Sequence, residues 1–391
     1  MKKIYLKRGK EDSLLRYHPW VFSGALSYSV HEDEEGDVVE VCNAAGDFMA
    51  IGHIQRGTIA VRVLTFENEP IDDGFWRRRL AAAYRVRKAM GIADAADTDT
   101  FRLVHGEGDS LPGLVIDCYG ATAVMQAHSL GMHRARHAIA QALADVMGER
   151  IRNIYYKSEG TLPFVAGEEN GFLLGGGREG DVAMEHGLRF HVDWLKGQKT
   201  GFFVDQRDNR LLLEQFAEGR KVLNMCCYTG GFSFYAIRGG AALVHSVDSS
   251  EKAIQLTKAN VELNFPGDKR HEAFCDDAFK FLDRPGLDYD LIVLDPPAFA
   301  KHRGAIPNAL KGYTRLDRKA MNIIAHGGIL FTFSCSQAVS KELFRNAVFT
   351  AAAQARRNVR ILHQLHQPAD HPINIYHPEG EYLKGLVLYV E

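Results

Sequence analysis

Apolar positions follow different patterns along the chain. Short runs, VVEVC at 38–42, FMAIG at 48–52 and TIAVRVLTF at 58–66, are punctuated by Gly36, Gly46 and Gly57. Runs of this kind predict strands joined by tight turns. Over 75–90 the segment FWRRRLAAAYRVRKAM instead aligns Phe75, Leu80, Ala83 and Tyr84 in one stripe at helical spacing. FRLVHGEGDSLPGLVIDCYG predicts two strands around a turn, TAVMQAHS another, then a helix over 132–147 and a strand over 151–156. GFLLGGGREG, at 171–180, reads as a loop. Beyond about residue 188, unbroken apolar runs such as 291–294 alternate with helix-like stretches. That alternation predicts an α/β doubly wound, mostly parallel sheet covered on both faces. The expected domains are therefore 1–73 (β-rich), 74–187 (α+β) and 188–391 (α/β), with a strand pair closing the tail.

Candidate chemistry gathers at strand ends in the third region. KVLNMCCYTGGFSFYAIRGGAALVHSVD, at 221–248, reads strand, glycine loop, helix, strand, with Gly230 and Gly231 in the loop and Asp248 closing the second strand. Glycines let the backbone approach a ligand, and an acid in this place accepts hydrogen bonds from ribose hydroxyls. The loop is not GxGxxG, so a nucleoside without phosphates, such as S-adenosylmethionine, fits better than a dinucleotide. Ordinary packing glycines are the bland alternative. Asn224 and Tyr228 flank the loop, and QKTGFFVDQRDNR at 198–210 carries Gln198, Thr200, Gly201, Phe203 and Asp205 just ahead of it. Asp276 and Asp277 follow the third strand, where an acid can bind an adenine amino group or cap a helix. YDLIVLDPPAF ends its strand at Asp295, because Pro296 biases the preceding residue away from helical geometry.

ILFTFSCS, at 329–336, is expected to end its strand at Cys335 after a turn formed by HGG. Ligands of open α/β sheets bind outside the carboxyl ends of the strands, so Asp295 and Cys335 share a rim with Gly230, Gly231 and Asp248. A thiolate that adds to carbon 6 of a pyrimidine makes carbon 5 nucleophilic toward a methyl donor, and an acid can hold the N3 and amine edge. This assigns Cys335 as nucleophile and Asp295 as the grip; Pro296, Pro297 and Phe299 would lie against the base. A buried strand cysteine is the alternative for Cys335, and N-methylation through a DPPY-like loop is the alternative for Asp295. Cys226 and Cys227 are read as structural.

Composition narrows the partners. Of 391 residues 46% are hydrophobic and 25% charged, and the net charge is −2, which excludes a globally basic nucleic-acid binder. Local patches remain: Lys7 and Arg8 near Trp20, and the bases of 75–90, including Arg78, which suit RNA. Six cysteines without CxxC spacing imply neither a disulfide framework nor a metal site. No apolar stretch suits a membrane span or signal peptide, so no membrane partner and a cytoplasmic location are expected.

QKTGFFVDQR, YTGGF, DPPAF, FSCS, ADHP and PEGEYLKG together resemble the bacterial large-subunit ribosomal RNA methyltransferase I family, as do HPWVFSGAL and RLVHGEGDSLPGLVID. The resemblance covers nearly the whole chain. It implies an N-terminal PUA domain, a central α+β domain and a Rossmann-like class I methyltransferase domain. It also implies S-adenosylmethionine as donor, 23S ribosomal RNA as substrate, 5-methylcytidine as product and Cys335 as nucleophile; family members often pair as homodimers. A related guanosine methyltransferase shares several of these motifs and lacks the FSCS cysteine. A non-catalytic RNA-binding protein that keeps S-adenosylmethionine structurally is the remaining alternative.

Overall fold

A computed structural model describes residues 1–162, 170–177, 182–300 and 302–391. The chain divides into two compact units. The first comprises Met1–Gly187, Val192–Val204 and Ala369–Gly380; the second comprises Leu188–His191, Asp205–Pro368 and Glu381–Glu391.

The first unit holds two five-stranded sheets. One is built from Lys2–Tyr5, Trp20–Phe22, Val38–Cys42, Phe48–Ile54 and Ile59–Thr65 around a core that includes Ile4, Val41, Ile54 and Val61. The other contains Thr100–His105, Leu114–Tyr119, Thr122–Ala127, Asn153–Tyr156 and Gly171–Leu174. Asp72 caps the helix Asp73–Ala89 by accepting the Phe75 N–H at 2.8 Å. Phe75, Trp76, Leu80 and Ala83 on that helix are buried, while Tyr84 stays at the margin.

Three expectations in this unit are corrected. Gly171–Leu174 is a strand rather than a loop, because Phe172 packs edge-on against Tyr155 and Trp194; the end of the expected loop, 178–180, lies outside the described residues. The helix expected over 132–147 is two helices, Leu130–Arg134 and Arg136–Met147, broken where the Arg136 guanidinium takes the His133 carbonyl. The tail is not a simple strand pair, because 369–380 belongs to the first unit, where the Asp370 carboxylate accepts the Arg102 N–H. Pro372 and Pro378 there lack the N–H a ladder needs.

The second unit contains a seven-stranded sheet. Its strands are β1 (Lys221–Met225), β2 (Leu243–Asp248), β3 (His271–Cys275), β4 (Tyr289–Leu294), β5 (Ile324–Ser334), β6 (Val359–His366) and β7 (Lys384–Val390). Their order is β3-β2-β1-β4-β5-β7-β6, parallel through β5 and antiparallel at β7 and β6. Val222, Leu223, Leu291, Ile292 and Val293 are wholly buried, as strands covered on both faces require. Helices α1 (Gly231–Arg238), α2 (Glu251–Asn264), α3 (Ile306–Ile323) and α4 (Lys341–Ala355) accompany the strands. HGG is not a turn before β5: Gly327, at φ 77°, sits inside the strand, where the register against β4 shifts. β5 stops at Ser334, so Cys335 is the first residue beyond it rather than its last.

Candidate active site

The order of the sheet determines which side chains share an edge. Met225 pairs with Val247 and Leu294, and Leu294 with Thr332, so the C-terminal ends of β1, β2, β4 and β5 lie side by side. The residues immediately beyond them are the glycine loop, Asp248, Asp295 and Cys335.

The loop after β1 is held from below. The Thr257 hydroxyl donates to the Tyr228 carbonyl at 2.9 Å, and the Asn260 amide to the Thr229 carbonyl at 3.3 Å. Cys226, Tyr228 and Gly230 all take positive φ. For the two side-chain-bearing residues this costs on the order of 1–3 kcal/mol each and persists only where the surroundings enforce it. Gly230 (φ 84°) is required by packing as well: a Cβ there would lie 2.6 Å from Cγ2 of Thr257. Gly231 is the first residue of α1 and is buried.

Asp248 receives the Tyr228 N–H at 2.9 Å on one carboxylate oxygen and the Ser250 N–H at 2.9 Å on the other. Each oxygen keeps a second lone pair, so the half-buried carboxylate can still accept ribose hydroxyls. Asn224 donates to the Ser233 hydroxyl at 2.9 Å, and its buried Oδ1 has no partner among the described residues. An acid with spare acceptor capacity beside an orphaned buried oxygen suits a nucleoside rich in O–H and N–H donors. The acidic pair after β3 divides its work: Asp277 caps the next helix by accepting the Lys280 N–H, and Asp276 pairs with Arg284 at 2.6 Å. Burial pushes the Cys226 thiol up to about 12, with Asp248 and Asp295 reinforcing it, and Cys227 is raised by burial and then Asp248. Neither is a reactive thiol, in keeping with a structural role.

At the other end of the rim, Asp295 and Cys335 are both half-buried, and Cys335 Sγ lies 3.9 Å from the Pro296 carbonyl oxygen. The flanking serines are clamped. Ser334 and Ser336 hydroxyls sit 2.8 and 2.9 Å from the Tyr313 hydroxyl, and Ser336 also takes the Ala300 N–H. Pro296 is buried and Pro297 exposed. Phe299 leans on Tyr313 with ring centroids 4.7 Å apart, and a Cβ on Gly312 would lie 2.9 Å from it, so its ring packs on α3. Lys384, which the sequence reading did not single out, is buried beside this segment and donates to the Ser336 and Val339 carbonyls at 2.7 and 2.6 Å. Only its place in PEGEYLKG, far downstream, marked it; pairing of β7 with β5 sets it opposite Ser334.

Other expected site residues are distributed differently. Gln198, Thr200, Gly201 and Phe203 belong to the first unit. There Thr200 is buried and donates to Asp117 at 2.6 Å; Gly201 (φ 124°) passes so close to Val192 and Trp194 that a Cβ would clash. Gln198 is exposed, and Phe203 lies under the Lys199 ammonium at 4.8 Å. Asp205, in the second unit, accepts the Tyr382 hydroxyl at 2.6 Å.

The expected RNA-facing groups are largely engaged. Trp20 donates to Glu107 at 2.8 Å and packs against His377, Lys7 donates to the Gly24 carbonyl, and Arg8 is exposed. On the basic helix several bases are engaged, while Arg85 is exposed. Arg78 pairs with Glu69, Arg77 with Asp145 and Lys88 with Asp94, while Arg87 is fully buried against Asp109. Its acids come from other segments, which a reading of 75–90 alone could not reveal. His18, His377 and Glu379 bring three donor atoms within 4.8 Å of one another. Nδ1 of His18 lies 3.2 Å from the Trp20 N–H and 3.4 Å from the Trp20 carbonyl oxygen. Among the described residues no helix is long and apolar enough to cross a membrane.

Residues 164–380 match the family of S-adenosylmethionine-dependent methyltransferases, and residues 4–66 match a PUA-like domain. The chain is 38% identical to ribosomal RNA large subunit methyltransferase I of Shigella boydii serotype 4 over 99% of both chains. It is equally similar to the protein of that name in Escherichia coli K12, again over 99% of both. Among solved structures, SMU.776 complexed with SAH superposes with TM-score 0.86 at 24% identity over the whole of both chains. Trm5b from Pyrococcus abyssi gives 0.54 at 14% over the same share. The last two likenesses concern the fold.

Proposed function

The chain belongs to the ribosomal RNA large subunit methyltransferase I family, and from that premise we propose that it methylates carbon 5 of a cytidine in large-subunit ribosomal RNA. S-adenosylmethionine supplies an electrophilic methyl group on a positively charged sulfur. Asp248, with Asn224 beneath the loop, would hold the nucleoside part of this donor, and Asp276 its adenine edge. Cys335 Sγ attacks carbon 6 of the cytosine, forming an S–C bond and moving the ring electrons to carbon 5. Asp295, carrying a proton, would donate its O–H to N3 and accept from the exocyclic amine, which stabilises the negative charge that addition places on the ring. Once carbon 5 carries the methyl group, its proton leaves to a base and the S–C bond breaks, returning the thiol.

The reading rests on one observation: Cys335, the half-buried thiol, stands just beyond a strand end on the same rim as Asp295 and Asp248. Cys226 and Cys227, on that rim too, are held protonated by burial. Incubating large-subunit ribosomal RNA with methyl-labelled S-adenosylmethionine should place label in 5-methylcytidine, and Cys335→Ala should lower that rate at least ~10³-fold with donor affinity intact. Label in a methylated guanosine, or undiminished turnover by Cys335→Ala, overturns the reading.

A further inference from the structure

Lys384 has no part in the chemistry just described, yet it is 94% buried, counting its 6% exposure, and its ammonium donates to two carbonyls of the segment that follows Cys335. A buried ammonium is costly unless its hydrogen bonds and charge are answered. Two of its three N–H groups are answered by the Ser336 and Val339 oxygens. Those bonds tie β7 to the turn beyond β5 and fix the backbone on which Cys335 sits.

The charge has a second consequence. The Pro296 carbonyl oxygen faces Cys335 Sγ at 3.9 Å, an arrangement that suits a thiol able to donate but opposes a thiolate. A nearby cation offsets that opposition, as it does for reactive cysteines generally. Burial pulls Lys384 down to about 8; the Cys335 charge and then Glu381 raise it back, and Lys341 lowers it further. Lys341 is itself ion-paired with Glu381, the Tyr313 phenol also feels Cys335, and Asp295 stands beside Pro296.

We propose that Lys384 is the positioning residue for Cys335: it fixes the turn after the cysteine through two carbonyls and holds the thiolate against the Pro296 carbonyl. This rests on the reading of Cys335 as nucleophile. The S–H bond breaks, its proton passes to water, and the charge left on sulfur is balanced by the ammonium before sulfur attacks the ring.

The test is the pH profile of Cys335 alkylation by iodoacetamide in the full chain, followed on the Cys335 peptide by mass spectrometry. Lys384→Met should move the half-point upward and slow alkylation at pH 7 about tenfold, equivalent to one pKa unit. Lys384→Arg, which keeps the charge, should restore most of the wild-type profile. Superimposable profiles for wild type and Lys384→Met overturn the proposal, as does Lys384→Arg behaving like Lys384→Met. A second measurement serves if Lys384→Met does not fold: NMR titration of the Lys384 ammonium in lysine-labelled protein. Cys335→Ala should lower its half-point, because the thiolate no longer supports the ammonium; an unchanged half-point refutes the coupling. Neither readout uses RNA. A missing 5-methylcytidine product with these shifts intact would therefore remove the cytidine reading alone, and absent shifts with normal product would remove only the role of Lys384.

Discussion

The helix Asp73–Ala89 and the strand-end rim of the second unit both looked functional in sequence, for opposite reasons. The helix has many bases and no acid in 75–90; the rim has a few isolated polar residues, each at the end of an apolar run. In the folded chain four of the helix bases, Arg77, Arg78, Arg87 and Lys88, meet acids from outside the helix, whereas the rim residues follow strand ends that lie side by side. Position relative to a strand end therefore survives folding better than local charge density does. Charge is easily cancelled by a partner elsewhere in the chain, but the carboxyl edge of a parallel sheet is where backbone geometry leaves room for a ligand.

The comparison can be tested first at Arg87, where the largest stability effect is expected. Its guanidinium pairs with Asp109 and donates to the Asp370 and Arg102 carbonyls at 2.6 and 2.8 Å. Arg87→Met should destabilise the protein by about 3–5 kcal/mol, since removing one partner leaves a buried carboxylate uncompensated. Urea unfolding measures this; a loss below about 1 kcal/mol would mean that the arginine behaves as an ordinary surface base.

A smaller effect is expected at Asp317 on α3, a wholly buried carboxyl behind the rim. Burial pushes it up to about 7, and the Thr332 hydroxyl offsets part of the rise. The folded state therefore holds a proton that the unfolded state releases at about 4, so stability falls as pH rises between these values and is level above. Asp317→Asn should be more stabilising at pH 8 than at pH 5, by on the order of 2 kcal/mol. Equal unfolding midpoints for the two proteins at both pH values would contradict the protonated carboxyl.

The strand ends legible in sequence were those where an apolar run meets a polar residue or proline, as at Asp248 and Asp295. What was not legible came from long-range pairing. The split of 369–380 from the strands around it depends on Arg87 and Arg102, more than 260 residues earlier. Lys384 reaches the carbonyls of Ser336 and Val339, just past Cys335, because β7 runs antiparallel to β5. Local pattern cannot signal either contact. The bonds of Thr200 were equally hidden: its hydroxyl donates to Asp117 and lies 2.9 Å from the Tyr119 hydroxyl, both about 80 residues earlier.

The central claim is the bond between Cys335 and the cytosine ring, and trapping that bond tests it most directly. Large-subunit ribosomal RNA transcribed with 5-fluorocytidine should form a stable covalent complex in the presence of S-adenosylmethionine, because fluorine at carbon 5 cannot leave as a proton does. Peptide mass spectrometry should locate the nucleotide on Cys335. Normal methyl transfer to unmodified RNA with no adduct at any cysteine, or an adduct at Cys226 or Cys227 instead, would contradict the account.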